Sequence, residues 1–220
     1  MKNFLAEGGC GKVYRGKLQD GTKIAVKQQR NRNESCHKEF KREVEALRRV
    51  WHENVVVMLG SCSEGIHSLI VYEFVCNGSL NQHLHQHCRA PLSWDNRIKV
   101  AIGAARGLLY LHDKNIIHRD ITPNNILLTH DFEILLGDFG LAITSEEEET
   151  SSEECVGDED YMAPEYAEHG KLSTKTDVYS FGVVLLQLIT GIRTTDRRRL
   201  GERRSLVDWV SSALPFFKEN

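Results

Sequence analysis

The run Ile117-His118-Arg119-Asp120-Ile121-Thr122-Pro123-Asn124-Asn125, followed by Asp138-Phe139-Gly140, decides how this 220-residue chain is read. It offers a carboxylate at Asp120, a carboxamide at Asn125, and a second carboxylate at Asp138 after the apolar stretch Ile134-Leu135-Leu136. That spacing suits magnesium-assisted phosphoryl transfer to a hydroxyl. Asp120 would orient the hydroxyl and accept its proton, while Asn125 and Asp138 would hold magnesium against phosphate oxygens. Thr122 is the irregularity: it is neutral where such a site usually has a cation. His118 and Phe139 read as structural, stacked with Leu47 in an apolar column.

Upstream, Ala6-Glu7-Gly8-Gly9-Cys10-Gly11-Lys12-Val13 nearly matches G-x-G-x-x-G-x-V, with Ala6 in place of the first glycine. Glycines let a strand–turn–strand element pass close over phosphates and aim backbone N–H groups at them. Ala6, Gly8 and Gly11 are thus candidate cradle residues, although a plain glycine turn gives the same letters. The β-prone runs Val13–Gly16 and Ile24–Lys27 are joined through Asp20-Gly21, a hairpin signal. Strand, hairpin, strand and lysine is not the strand–loop–helix context of a dinucleotide fold. Lys27 falls inside an apolar strand, so facing inward it needs an anionic partner. Glu43 can supply one from a predicted helix over His37–Val50, whose Phe40, Val44, Leu47 and Val50 recur at helical spacing. A snorkelling surface lysine is the alternative.

Tyr72-Glu73-Phe74-Val75 ends another strand and opens a linker. Backbone groups of Glu73 and Val75 can pair with an adenine edge there, with Val13, Ala25 and Leu127 sandwiching the ring. Ordinary core packing plus a loop would explain the same residues.

Further strands are predicted at Val55–Leu59 and Leu69–Tyr72. A helix is predicted over Ile98–Leu111, with Ile98, Ile102, Ala105 and Leu109 on its apolar face. Another, Val178–Ile189, should be buried on most sides. The fold class is α+β and bilobal: residues 1–75 form a small antiparallel sheet lobe with one key helix, and residues 76–220 a larger, mainly helical lobe. The seam is expected near Glu73–Ser79.

Net charge −3 and a pI near 6.4 argue against nucleic acid as a partner. No apolar run is long enough to span a membrane and no signal peptide opens the chain; a span elsewhere in a longer protein stays open. The six cysteines show no C-x-x-C pairing, so neither a zinc site nor a disulfide framework is expected, in keeping with a reducing compartment. Nine carboxylates between Glu146 and Asp160, and six arginines between Arg193 and Arg204, read as solvated segments.

Taken together, Gly8, Gly11, Val13, Ala25-Val26-Lys27, Glu43, His118-Arg119-Asp120, Asn125, Asp138-Phe139-Gly140, Ala163-Pro164-Glu165 and Asp177 resemble the eukaryotic protein kinase domain. Asp177-Val178-Tyr179-Ser180-Phe181-Gly182 and Pro123–Phe132 are more finely similar to plant receptor-like serine/threonine kinases of the Pelle/IRAK type, in the proline-rich extensin-like group. The resemblance implies ATP and magnesium as cofactors and a protein substrate or signalling partner. It implies a location that is cytoplasmic, or on the cytoplasmic side of the plasma membrane. By the same resemblance Lys27, Glu43, Asp120 and Asn125 are catalytic, Asn125 and Asp138 bind metal, Tyr72 backs the adenine pocket, and Asp177 braces the catalytic loop.

Four departures bear on activity. Thr122 replaces a lysine that meets the transferring phosphate. Asp158 replaces a threonine that bonds the catalytic aspartate, which would set two carboxylates facing each other, and Asp160 replaces a glycine. Glu153 and Glu154 occupy the phosphothreonine region and could imitate it by pairing with Arg119. The family's first strand begins earlier and its helices continue past Ser205–Trp209, which would leave Glu165 without its arginine. Such a chain is an ATP-dependent serine/threonine kinase, with reduced activity as one outcome. The alternative is a pseudokinase that binds nucleotide or scaffolds without transfer.

Overall fold

The computed structural model describes residues 3–30, 34–64, 67–85, 91–144, 155–200 and 205–213. Its small lobe is a five-stranded antiparallel sheet built from β1 (Phe4–Glu7), β2 (Gly11–Lys17), β3 (Lys23–Arg30), β4 (Met58–Glu64) and β5 (His67–Glu73), in the order β1-β2-β3-β5-β4. The β2–β3 connection uses Gly21 at φ +92°, a left-handed conformation that suits glycine, and Asp20 Oδ1 accepts a bond from Thr22 N at 2.9 Å. Helix α1 (Glu34–Arg49) buries Phe40, Glu43, Val44 and Leu47, the face expected from their spacing.

Valine-rich composition misplaces one strand. β4 starts only at Met58. Residues 54–56 instead ladder onto the large lobe, with Val56 N donating to Leu136 O and Leu136 N to Asn54 O, each at 2.9 Å. β-branched residues fit either ladder, so composition does not say which partner wins.

The large lobe contains α2 (Leu80–His85), α3 (Trp94–Asp113), β6 (Ile116–Ile117), β7 (Ile126–Leu128), β8 (Ile134–Leu136) and β9 (Ile143–Thr144). These are followed by α4 (Pro164–His169), α5 (Thr174–Thr190), α6 (Arg197–Leu200) and α7 (Leu206–Ala213). β6 pairs with β9 and β7 with β8 in two small antiparallel sheets that carry the loops of the cleft. α3 starts at Ser93, whose side chain caps Asn96 N. α5 starts with a Ser173/Thr176 capping box and stops at Gly191, φ +66°.

The buried face of α3 corrects the sequence reading. Ile98, Ile102 and Leu109 are exposed, and the buried stripe of α3 is Val100, Gly103, Ala104, Gly107, Leu108 and Leu111. Small residues win because this helix lies close against the chain beneath it. A Cβ on Gly107 would stand 2.9 Å from both Asn54 O and Leu136 Cδ1, and one on Gly103 would stand 2.8 Å from Ile134 Cγ1. Large apolar side chains would force α3 away. In α5, Val183, Val184, Gln187 and Leu188 are buried, and between Val178 and Ile189, which are exposed, every residue is buried or half-buried.

One apolar core runs through both lobes and includes Phe40, Leu47, Tyr72, Leu136 and Phe139. Among the described residues no helix is long and apolar enough to cross a membrane. The cysteine reading also needs correction. Cys10, in the β1–β2 turn, and Cys36, in the first turn of α1, form a disulfide across 26 positions, a pairing set by tertiary approach and invisible to local spacing. Residues 145–154, including Glu153 and Glu154, and residues 201–204 lie outside the described residues.

Candidate active site

Sheet register sets up the upper wall of the cleft. Val13 lies opposite Lys27, Ala25 opposite Tyr72, and Lys27 opposite Ile70. Cross-strand partners share a face, and residues two apart share it too, so Val13, Ala25, Lys27 and Tyr72 look the same way. Lys27 Nζ donates to Glu43 Oε2 at 2.7 Å and to Asp138 Oδ1 at 2.7 Å. Tyr72 Oη donates to the other oxygen of Glu43 at 2.5 Å.

These contacts fix the charges. Burial pushes the Lys27 ammonium down, but Glu43 and Asp138 more than offset it and hold the group protonated. Burial raises the Glu43 carboxyl above its ordinary range despite Lys27. At Asp138 burial also pushes upward, yet Lys27 overrides it and holds Asp138 below the ordinary range. Burial and the Glu43 charge push the Tyr72 phenol well up, so it remains a donor.

The lower wall is a rigid loop. Asn125 Nδ2 donates to Asp120 Oδ2 at 2.6 Å and to Asp120 O at 2.9 Å, and Gly137 N donates to Asn125 O at 2.9 Å. The second bond set ties this loop to the strand that delivers Asp138. Beneath it, the fully buried Asp177 accepts from His118 N at 2.9 Å, Arg119 N at 2.8 Å and His112 Nε2 at 3.0 Å. Arg119 has φ +65° and Asp138 φ +59°, strained for side chains with a Cβ. The Asp177 carboxylate supplies the bonds that keep Arg119 there. Replacing it with alanine should cost about 3–5 kcal/mol, because hydrogen bonds to a charged acceptor are worth 1.5–3 kcal/mol each and the orphaned N–H groups stay buried. Urea unfolding measures this, and a loss under about 1 kcal/mol would contradict the bracing role. His118 packs its ring on Phe139 with centroids 4.8 Å apart, as the apolar column requires.

Burial, more than any other cause, raises the Asp120 carboxyl; His118 and Asn125 lower it, while Asp138 and then Asp158 raise it. The expected clash with Asp158 is thus the smallest of these influences. Asp158 turns its Oδ1 to cap Asp160 N at 3.1 Å, at the start of a short 3-10 turn over Glu159–Tyr161. Its own carboxyl is raised chiefly by burial. Asp160 accepts from Thr194 Oγ1 at 2.8 Å. Gly157, at φ +123°, lets this segment approach the Arg119–Asn125 loop, since a Cβ there would stand 2.8 Å from Arg119 O. Thr122 is buried and brings no charge. Glu165 is half-buried, and no ion pair reaches it among the described residues.

The remaining candidates are placed as follows. Ala6 lies on β1 opposite Val13 and is exposed. Gly8 N donates to Gly11 O at 2.9 Å, closing the turn, and a Cβ on Gly11 would stand 2.8 Å from Gln28 O. Space beside Gly8 and Gly9 is open. Val13, Ala25, Val75 and Leu127 are each half-buried, which leaves apolar surface for a flat ring. Glu73 N donates to Val57 O at 3.1 Å, so that donor is already engaged; no hydrogen bond of Val75 is found among the described residues.

Comparison with known proteins agrees with this geometry. The family model described as protein tyrosine and serine/threonine kinase matches residues 1–202. The chain belongs to that protein kinase family. It is 47% identical to the proline-rich receptor-like protein kinase PERK8 of Arabidopsis thaliana over 100% of this chain and 33% of that protein. It is 45% identical to the receptor-like serine/threonine-protein kinase ALE2 of the same plant, over 97% of this chain and 29% of that protein. For PERK15, also from Arabidopsis thaliana, the figures are 45%, 94% and 42%. The kinase chain thus spans roughly a third of the length of these curated relatives. Members of the family use ATP and magnesium in general.

The site fits that pair. Magnesium takes few protein ligands and completes its shell with water and phosphate oxygens. That agrees with one carboxylate at Asp138 and one amide at Asn125, and with the lack of any cluster of three or more His, Cys, Asp or Glu metal ligands among the described residues. With its donors engaged by Asp120, Asn125 keeps its amide oxygen for a cation. The Tyr72–Glu43 bond and the direct Lys27–Asp138 bond were missed in the sequence. Neither has a local signal: Tyr72 comes within reach of the Lys27–Glu43 pair only through the β3–β5 register, which sets it across from Ala25.

Proposed function

We propose that this kinase domain is an ATP-dependent serine/threonine protein kinase transferring the γ-phosphate of ATP to hydroxyls of a protein substrate. The observation that carries the reading is Lys27 held between Glu43 and Asp138, with Asp120 and Asn125 joined on the loop below. Bound ATP with magnesium supplies the phosphoryl group and the cation that neutralises its charge. Lys27, kept protonated and fixed by Glu43, meets the phosphates from above. Tyr72 locks the second oxygen of Glu43, so the carboxylate cannot swing from the lysine. Asp138, held ionised by Lys27, and Asn125 are the metal ligands. Asp120 orients the acceptor hydroxyl and takes its proton. Gly8 and Gly11, with Ala6, form the turn over the phosphates, while Val13, Ala25, Val75, Leu127 and the Glu73 carbonyl frame the adenine. Nothing in the charge balance favours nucleic acid. We place the domain in the cytoplasm, or on the cytoplasmic face of the plasma membrane in a receptor-like protein.

The second reading, a pseudokinase, is favoured by Thr122, buried and neutral beside Asp120. Purified protein decides between them. Radiolabelled transfer from ATP to a basic protein substrate should exceed that of Asp138→Asn, which loses the metal carboxylate, by at least about 10². ATP–magnesium binding with transfer no greater than the variant establishes the pseudokinase.

A further inference from the structure

The Cys10–Cys36 bond joins the glycine turn between β1 and β2 to the first turn of α1. Cys10 sits between Gly9 and Gly11, in the turn over the cleft. Cys36 is buried in the first turn of α1, the helix that carries Glu43. Their Cα atoms are 5.2 Å apart, inside the range a disulfide spans without backbone movement. The helix end is a fixed anchor: Gln29 Nε2, on β3 two residues past Lys27, donates to Cys36 O at 2.8 Å. At the base of the turn Gly11 pairs with Gln29 of β3, and a Cβ on Gly11 would stand 2.8 Å from Gln28 O. At its tip, a Cβ on Gly8 or Gly9 would meet nothing within 4 Å. The disulfide is a covalent tie from this open turn to α1. Cys62, Cys76 and Cys155 are free and exposed.

We propose that Cys10 and Cys36 are a redox modification site, a reversible latch that sets how readily the glycine turn lifts to admit and release nucleotide. The oxidant is a peroxide. One thiolate attacks the O–O bond, giving a sulfenic acid and releasing water after proton uptake. The second thiol displaces the sulfenic oxygen as a second water, and the S–S bond forms. Two thiols are oxidised and one peroxide is reduced to two waters. A low-molecular-weight thiol such as glutathione reverses the bond by exchange through a mixed disulfide. A cytosolic setting keeps most thiols reduced, so there the latch is open by default and closes under oxidative load.

The inference rests on reading the cleft as an ATP site, and its test separates the two. Wild-type protein and Cys36→Ser, whose altered side chain lies outside the cleft, are each treated with hydrogen peroxide or dithiothreitol. Peptide mapping should find a linked Cys10–Cys36 peptide only in peroxide-treated wild type. Amide hydrogen exchange over residues 7–11 should speed up several-fold on reduction of wild type and be fast in the variant under both conditions. Stopped-flow binding of a fluorescent ATP analogue with magnesium should show both rate constants several-fold higher in reduced than in oxidised wild type, with no such difference in the variant. Absence of the linked peptide overturns the site. A linked peptide with unchanged exchange and binding rates overturns the latch. Failure of the analogue to bind reduced wild type overturns the ATP reading instead, and exchange at the turn still decides whether the bond restrains it.

Discussion

Asp120→Asn should lower phosphoryl transfer about 10²–10⁴-fold, the usual contribution of a positioned general base, and leave ATP–magnesium binding and thermal stability close to the parent. The asparagine keeps the shape and can still accept the bond from Asn125 Nδ2 that spans 2.6 Å in the parent. It cannot take a proton from the substrate hydroxyl. The pH profile carries a second readout. Asp120 works only when ionised, and burial, with Asp138 and Asp158 adding to it, raises its carboxyl above the ordinary range. The acid limb of the rate profile should therefore lie higher in pH than an unperturbed aspartate would give. Asp158→Thr removes one of the raising charges and should move that limb down by a small amount, because it ranks last among the causes. An undiminished rate in Asp120→Asn, or an acid limb in the ordinary carboxylate range, would remove Asp120 from the role of base.

Why some of this was legible in the sequence and some was not follows from the range of each signal. Lys27 was readable because a lysine in an apolar strand demands an anion, and Glu43 was readable because it shares a helix face with Val44 and Leu47. Both inferences use periodicity within one element. The Tyr72–Glu43 bond needs the strand order, since β5 is next to β3 although α1 and β4 lie between them in sequence. The buried face of α3 was read wrongly for a related reason. Periodicity ranks residues by hydrophobicity, whereas the packing there is decided by how close Asn54 and Ile134 come, which favours Gly103 and Gly107. The disulfide escaped because Cys10 and Cys36 meet only after the sheet has folded α1 against the turn. The resemblance assigns Asp158 a position but no orientation for its carboxylate, and its oxygen faces Asp160 N.

Thr122→Lys should raise transfer on the order of 10²–10³-fold, the inverse of losing one cationic or donor group at a transition state, about 2–4 kcal/mol. Thr122 lies three residues before Asn125, and its carbonyl accepts from Asn125 N at 3.0 Å, so a side chain at this position starts close to Asp120 and Asn125. On the proposed reading Lys27 meets the phosphates from above, and residue 122 brings no cation from below. Symmetric charge compensation around the transferred group is what the substitution adds. Its cost is steric. Thr122 is 3% exposed, and a longer chain must find a way out of a packed loop. Overpacking of this kind costs about 1–3 kcal/mol in stability, offset in part because a lysine can run its stem along apolar surface and keep the ammonium in the cleft. Thr122→Met separates charge from size, since methionine has comparable length and no charge. It should lose a similar amount of stability in a thermal melt without gaining rate. Equal gains in both variants would mean that loop packing, and not charge, limits transfer. If Thr122→Lys binds ATP–magnesium but transfers no more than Asp138→Asn, the missing cation is not the limiting defect. The pseudokinase reading would then hold for reasons elsewhere in the cleft.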